Sequence, residues 1–214
     1  MIDVEQGSPE WFAARAGRLT GSVAHAMLAE GKGVTRNNLR AKLVLERLTG
    51  KPHDDDYVSK AMQAGKDREP DARAAYEVLT GNLVTSSGFL SHTELMAGCS
   101  LDGYIGDYER LMSIKCRQPP AHFECVKTRK VPSQAMKQIR HELWLTGAEE
   151  HDYFSFNPDF PESRRAVLVT VHRRDCNLDE YDALARAFLS EVDAEVEAFM
   201  TAGDLRGQLE RALA

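Results

Sequence analysis

Ser100-Leu101-Asp102-Gly103, followed by Leu111-Met112-Ser113-Ile114-Lys115-Cys116, is the stretch on which the reading of this chain turns. Side chains alternate along a strand, so Ser113 and Lys115 share one face while Met112, Ile114 and Cys116 point into a core. Asp-Gly at 102–103 signals a hairpin turn on its own. An acid on such a turn, facing a polar pair at i and i+2, is also an arrangement that can hold Mg²⁺, which needs hard oxygen ligands near octahedral geometry. The cation would activate a water that the lysine orients or deprotonates. Taken alone, these residues support both the turn and the metal site.

Working outward, Ser8 followed by Pro9 starts a helix that Gly17 ends. Thr20-Gly21-Ser22 opens a second short helix, Gly31-Lys32-Gly33 is a loop, and Thr35 caps a third helix with Leu39, Leu43, Val44 and Leu48 on one face. A longer helix is expected from about Val58 to Leu79, with a kink at Glu69 because Pro70 follows it. Strands are expected at Leu83–Leu90, Ala97–Ser100, Leu111–Cys116, Tyr153–Phe156 and Ala166–Val171. Helices are expected at Pro120–Thr128 and Ser133–Thr146, and from Leu178 to about Met200, with a short tail helix after Gly203. Helices, strands, a helix pair, strands and a helix in this order predict a mixed sheet flanked by helices. Gln134, Gln138 and His141 form a polar stripe opposite Met136, Ile139 and Leu143.

At 214 residues the chain suits one α/β domain spanning 1–214. Its N-terminus lacks the pattern of a secretory signal and no apolar run is long enough for a membrane span, which favours the cytoplasm. Cys99, Cys116, Cys125 and Cys176 contain no Cys-x-x-Cys pair, so they read as reduced, buried or half-buried thiols. The net charge of −6 is unevenly spread. Between Ser113 and His141 the bases Lys115, Arg117, Lys127, Arg129, Lys130, Lys137 and Arg140 face one acid, Glu124, whereas after Asn177 nine acids face Arg186, Arg206 and Arg211. That polarity suits a protein with one phosphate-facing wall, and it also suits an ordinary solvated surface.

Four segments, in order, resemble the phage λ exonuclease (YqaJ-like) recombinase family. Trp11 to Ser22 resembles its W-x-x-x-R-x-G-x-[IL]-T-x-S opening. Gly65-Lys66-Asp67-Arg68-Glu69, with Ala72 and Tyr76, resembles its G-x-x-x-E helix. Cys99 to Gly103 resembles its acidic turn, and Gln138 its late-helix glutamine. The resemblance implies a restriction-endonuclease-like PD-(D/E)xK fold. It further implies a 5′→3′ exonuclease on linear double-stranded DNA ends that uses Mg²⁺, with Mn²⁺ able to substitute, in a bacterial host cytoplasm. A homotrimeric ring, with Lys127–Lys130 facing the channel and the acidic tail outward, and a single-strand annealing protein as partner follow from the same likeness. It makes Asp102 and the Ile114 carbonyl metal ligands and sets Lys115 on the attacking water or scissile phosphate. Glu69 reaches the site from its helix and Gln138 holds water or phosphate. Arg15, Thr20 and Ser22 form the 5′-phosphate pocket. This last role has physical sense of its own, since a guanidinium forks onto phosphate and hydroxyls at a helix start add donors. Without the likeness, Glu69 and Arg15 read as exposed helix charges and Gln138 as a solvated side chain.

Ser113 departs from the pattern. The family carries glutamate there, as a metal ligand, and serine is shorter and neutral. The expectation is weaker metal binding and turnover slowed on the order of 10²–10⁴-fold, with Ser113→Glu restoring it. An engineered inactive form, a natural pseudo-nuclease, or replacement by Asp107 or Glu109 would each account for the serine, the first being favoured because the other site residues persist. A DNA-end clamp without turnover and a structure-specific endonuclease on the same fold are the rival functions.

Overall fold

The computed structural model describes residues 4, 6–29, 33–53, 65, 67–116 and 118–202. The start of the helix expected from Val58, most of the Gly31–Gly33 loop, the tail helix after Gly203, and Arg117, Arg206 and Arg211 lie outside the described residues.

Helix α1 (Pro9–Arg15) begins as its sequence dictates: the Ser8 hydroxyl accepts from Trp11 N at 3.1 Å and proline occupies the first turn. The chain then turns through Gly17 at φ +69°, where a Cβ would lie 2.6 Å from Arg47 Cγ, so glycine is required for both reasons. Strand β1 (Leu19–Thr20), a 3₁₀ turn (Gly21–Val23) and α2 (Ala24–Met27) follow. Helix α3 (Val34–Thr49) is capped by Gly33 rather than by the expected Thr35, which lies inside the first turn. Its Leu39, Leu43 and Val44 are buried, while Leu48 stays exposed. Helix α4 (Glu69–Thr80) has Pro70 in its first turn, where its missing N–H is one left unbonded anyway; Gly65 and Asp67 before it are helical and Arg68 is a turn, so the expected interruption near Pro70 falls just before Glu69.

The strands are β2 (Phe89–Ser91), β3 (Ala97–Ser100), β4 (Gly103–Ile105), β5 (Arg110–Cys116), β6 (Glu150–Phe156) and β7 (Ala166–His172). Helices α5 (Pro119–Thr128) and α6 (Ser133–Thr146) join β5 to β6, and α7 (Leu178–Thr201) closes the described chain. The single central sheet expected from the sequence is divided in two, both mixed: β1-β3-β2 and β4-β5-β6-β7. Strand β5 pairs antiparallel with β4 and parallel with β6. The division falls at Leu101-Asp102, where the chain leaves β3 in one sheet and enters β4 in the other. Strand β4 is forced close to its neighbours, for a Cβ on Gly103 would meet Val84 Cγ1 at 2.3 Å.

One core cluster joins α3 to α7 around Leu43, Tyr181, Phe188 and Val192. A second packs α6 on one face of the larger sheet around Leu111, Ile139, Leu143 and Tyr153, and a third packs α4 on the opposite face around Tyr76, Met112, Ile114 and Phe154. The acids of α7 are not simply turned outward. Glu191 takes both guanidinium nitrogens of Arg36 at 2.7 and 2.9 Å, Glu195 pairs with Arg40 at 2.8 Å, and Asp193 pairs with Arg47. Three of the seven acids of the last helix are therefore answered by the arginines of α3, while Glu180 and Asp182 pair with Arg140 and Arg186.

Candidate active site

Asp102 is not at the tip of a hairpin, as its Asp-Gly sequence suggested; that turn lies further on, at Gly106–Tyr108, where both named residues have positive φ. It sits where the chain changes sheets, and its side chain does what the ladder there does not: Asp102 Oδ2 accepts from Ile114 N at 2.9 Å and from Lys115 Nζ at 3.2 Å. Acid and lysine are thus joined directly, both half-buried. The N–H and C=O of one strand residue project to the same edge, so the Ile114 carbonyl also points to the edge where Asp102 lies.

Helix α4 supplies the other wall. Glu69 and Asp102 line one cavity together with Arg73, Ser86, Ser87 and Leu101. Arg73 Nη2 donates to the Asp102 carbonyl at 2.7 Å and Nη1 to the Ser86 hydroxyl at 3.3 Å. Sequence reading missed Arg73, although Glu69 and Arg73 stand at i and i+4 and so share a helix face. Burial pushes the Cys116 thiol up to about 11, and the charge of Glu69, then that of Asp102, adds to the effect. Glu69, Asp102 and Lys115 therefore all act on one side chain at the end of β5.

The other three pocket residues come together as well. Arg15 Nη2 donates to Ser22 Oγ at 3.2 Å, and Thr20 Oγ1 lies 3.2 Å from the same hydroxyl. The Arg15 guanidinium stacks over the Trp11 ring at 4.0 Å, and Trp11 Nε1 donates to Ser100 Oγ at 2.8 Å. Helix α1 is thereby tied to the chain two residues before Asp102. Arg18 and Lys42 line this pocket too. Neither was singled out from sequence; Lys42 is paired with Glu46, which also lines the pocket, at 3.8 Å, so Arg18 is the one that adds to the charge of Arg15.

Ser113 differs from its partner Lys115. It is 2% exposed, with Oγ 3.4 Å from His151 Nε2. Neither Asp107 nor Glu109 is placed as its replacement: both belong to the β4–β5 turn, and Glu109 packs under Gly106. Gln138 is half-buried on α6, its Nε2 donating to Glu142 Oε1 at 2.7 Å. The polar stripe of α6 faces the interior, not solvent, at His141. That imidazole is fully buried, bonding Tyr181 OH at 2.8 Å through Nδ1 and the Gly98 carbonyl at 3.0 Å through Nε2.

Burial lowers the His141 pKa from 6.5 to about 4. A histidine whose folded pKa is depressed contributes stability above its unfolded pKa and loses it as pH falls through the folded one. The melting temperature is therefore expected to drop between about pH 6.5 and 4, by an amount worth on the order of 3 kcal/mol. His141→Gln should flatten that slope in melts run against pH, and an unchanged slope would remove His141 as its source.

The family model of the YqaJ-like viral recombinase domain matches residues 10–149. No curated protein matches the chain. Among solved structures, an alkaline exonuclease (LHK-Exo) from Laribacter hongkongensis superposes with a TM-score of 0.82 at 33% identity, covering 97% of this chain and 100% of its own. The same exonuclease in complex with dAMP gives the same values. A phage related exonuclease from Haemophilus somnus 129PT shares the fold at a TM-score of 0.65 and 14% identity, over 85% of this chain and 96% of its own.

Proposed function

This chain belongs to the YqaJ-like viral recombinase domain family, and on that premise we propose that it is a 5′→3′ deoxyribonuclease acting on linear double-stranded DNA with a 5′-phosphate. The observation that carries the reading is the contact of Asp102 with both Ile114 N and Lys115 Nζ, in the cavity that Glu69 lines. Among the described residues no three carboxylate, imidazole or thiol groups gather into a protein cage for a metal. Mg²⁺ is commonly held by one or two carboxylates, with water and substrate phosphates completing the shell. Asp102 and Glu69, with the Ile114 carbonyl, fit that mode, and Mn²⁺ would substitute. The cation would supply Lewis acidity and a water of lowered pKa.

The chain's own groups do the rest. Lys115, held at 3.2 Å on Asp102, donates to the scissile phosphate or to the attacking water. Gln138, which packs beneath Gly21 between the two pocket hydroxyls, helps hold water or phosphate. Arg15, with Thr20 and Ser22, takes the terminal phosphate, and Arg18 strengthens the field around it. The dAMP-bound relative accords with release of mononucleotides, leaving a 3′ strand for an annealing partner. A homotrimer acting in the bacterial cytoplasm belongs to the same proposal. No helix among the described residues is long and apolar enough to cross a membrane.

Comparison of 5′-phosphorylated with 5′-hydroxyl linear duplex tests the reading. The phosphorylated end should be digested faster, and Arg15→Ala should reduce that preference by about tenfold or more, the worth of a charge-assisted contact. Equal rates on both ends would overturn the pocket assignment, and cutting of closed circles would favour an endonuclease. The buried serine at 113 favours a second reading, a DNA-end clamp, which would show as a stable gel shift with no product.

A further inference from the structure

Ser113 faces a buried polar chain of which the proposed chemistry uses only Gln138. Its Oγ lies 3.4 Å from His151 Nε2, and the same nitrogen lies 2.7 Å from Glu142 Oε2. Glu142 Oε1 in turn accepts from Gln138 Nε2 at 2.7 Å. Glu142 is 1% exposed and His151 fully buried, and His151 Nδ1 has no hydrogen-bond partner among the described residues. Gln138 and Glu142 also underlie the phosphate pocket: a Cβ on Gly21, between Thr20 and Ser22, would sit 3.3 Å from Gln138 Cγ and 3.4 Å from Glu142 Oε1.

We propose that Glu142 is the positioning carboxylate of this active site, delivered from α6 to the place left by Ser113 on β5, and that it acts through Gln138. The inference rests on the nuclease reading. A buried carboxylate is costly and needs compensation, and here both oxygens are engaged by groups that bracket the site. A carboxylate can only accept. It therefore forces the nitrogen edge of the Gln138 amide toward itself and presents the carbonyl edge away from it. A glutamine at 142 would keep the volume but lose the instruction, because it can offer either edge. Glutamate at 113 would extend from a backbone position whose short side chain already reaches His151. Two carboxylates would then compete for one imidazole nitrogen in the interior, and like charges there oppose each other.

Three variants of the full chain test this: Glu142→Gln, Ser113→Glu, and both together. Glu142→Gln should lower kcat on linear duplex about tenfold or more, leave KM for DNA ends within about twofold, and melt close to wild type. Ser113→Glu, which the family pattern alone would make restorative, should here gain no activity and melt roughly 6 °C lower or more, or fail to fold, because Glu142 already holds His151 Nε2. The double variant should recover most of the melting temperature and turn over faster than either single one. Unchanged kcat in Glu142→Gln, or Ser113→Glu melting as wild type, would overturn the proposal. If no form digests DNA, the nuclease reading fails separately, and the melting cycle still decides: additive shifts reject the competition, and recovery in the double variant supports it.

Discussion

Asp102→Asn is expected to reduce digestion of linear duplex by about a thousandfold, within the range seen when a group that meets developing charge is lost. Asparagine has nearly the same shape, and its carbonyl oxygen still accepts from Ile114 N, so the tie between the two sheets is kept. What disappears is the charge that holds Lys115 Nζ at 3.2 Å and that would bind the divalent cation with Glu69. The fold should survive, because the side chain is half-buried and its main-chain anchor, the Arg73 contact to its carbonyl, is untouched. The measurement is the Mg²⁺-dependent rate on linear duplex beside a thermal melt and a gel shift on DNA ends. A folded variant that binds ends but does not cut is the expected result. Wild-type rates in Asp102→Asn would end the assignment of this carboxylate.

The sequence shows the residues of this site more clearly than their surroundings. Ala97–Ser100 and Ser133–Thr146 were legible in full, because alternation and 3.6-residue periodicity mark them and a turn residue or proline bounds them. Strand β4 was not legible: it is three residues long and starts with glycine, and its place depends on Met112 and Val84 from elsewhere in the chain. The same short range hid the role of Asp102, since Asp-Gly is a local turn signal and the change of sheet is a tertiary event. Arg15, Thr20 and Ser22 were found because they lie within eight residues and carry a spacing. Glu142 was passed over for the opposite reason. In His141-Glu142-Leu143 it looks like any helix charge, and only the packing of α6 on β5 and β6 shows that it is buried. Patterns local in sequence were readable, whereas polar groups made important by burial were not.

Asp152→Ala is expected to be the most destabilising single change in the molecule for the same reason of hidden burial. Asp152 lies in β6, between β5 and β7, with no exposure. Its carboxylate accepts from Tyr76 OH at 2.7 Å, Thr170 Oγ1 at 2.6 Å and Arg110 Nη1 at 3.1 Å. A buried charge held by three donors adds little over an apolar core, but removing it takes the acceptor from the Tyr76 and Thr170 hydroxyls, while Arg110 keeps Glu150, at a cost of about 3–5 kcal/mol. For a chain of this length that is a fall in melting temperature of roughly 6–20 °C. Tyr76→Phe in the same background should return part of the loss, because the stranded phenol is removed with its partner. The alkaline limb offers a second check. Burial, then the Asp152 hydrogen bond, pushes the Tyr76 pKa up to about 12 from 10. A raised tyrosine contributes stability in full below its unfolded pKa and loses it as pH rises through the folded one, so the loss falls between about pH 10 and 12. Asp152→Ala should make that loss shallower, since part of its cause is gone. A variant that melts within about 2 °C of wild type would mean that the two hydroxyls find other partners, and that the junction of α4 with the larger sheet, which carries Glu69 to the site, does not depend on this carboxylate.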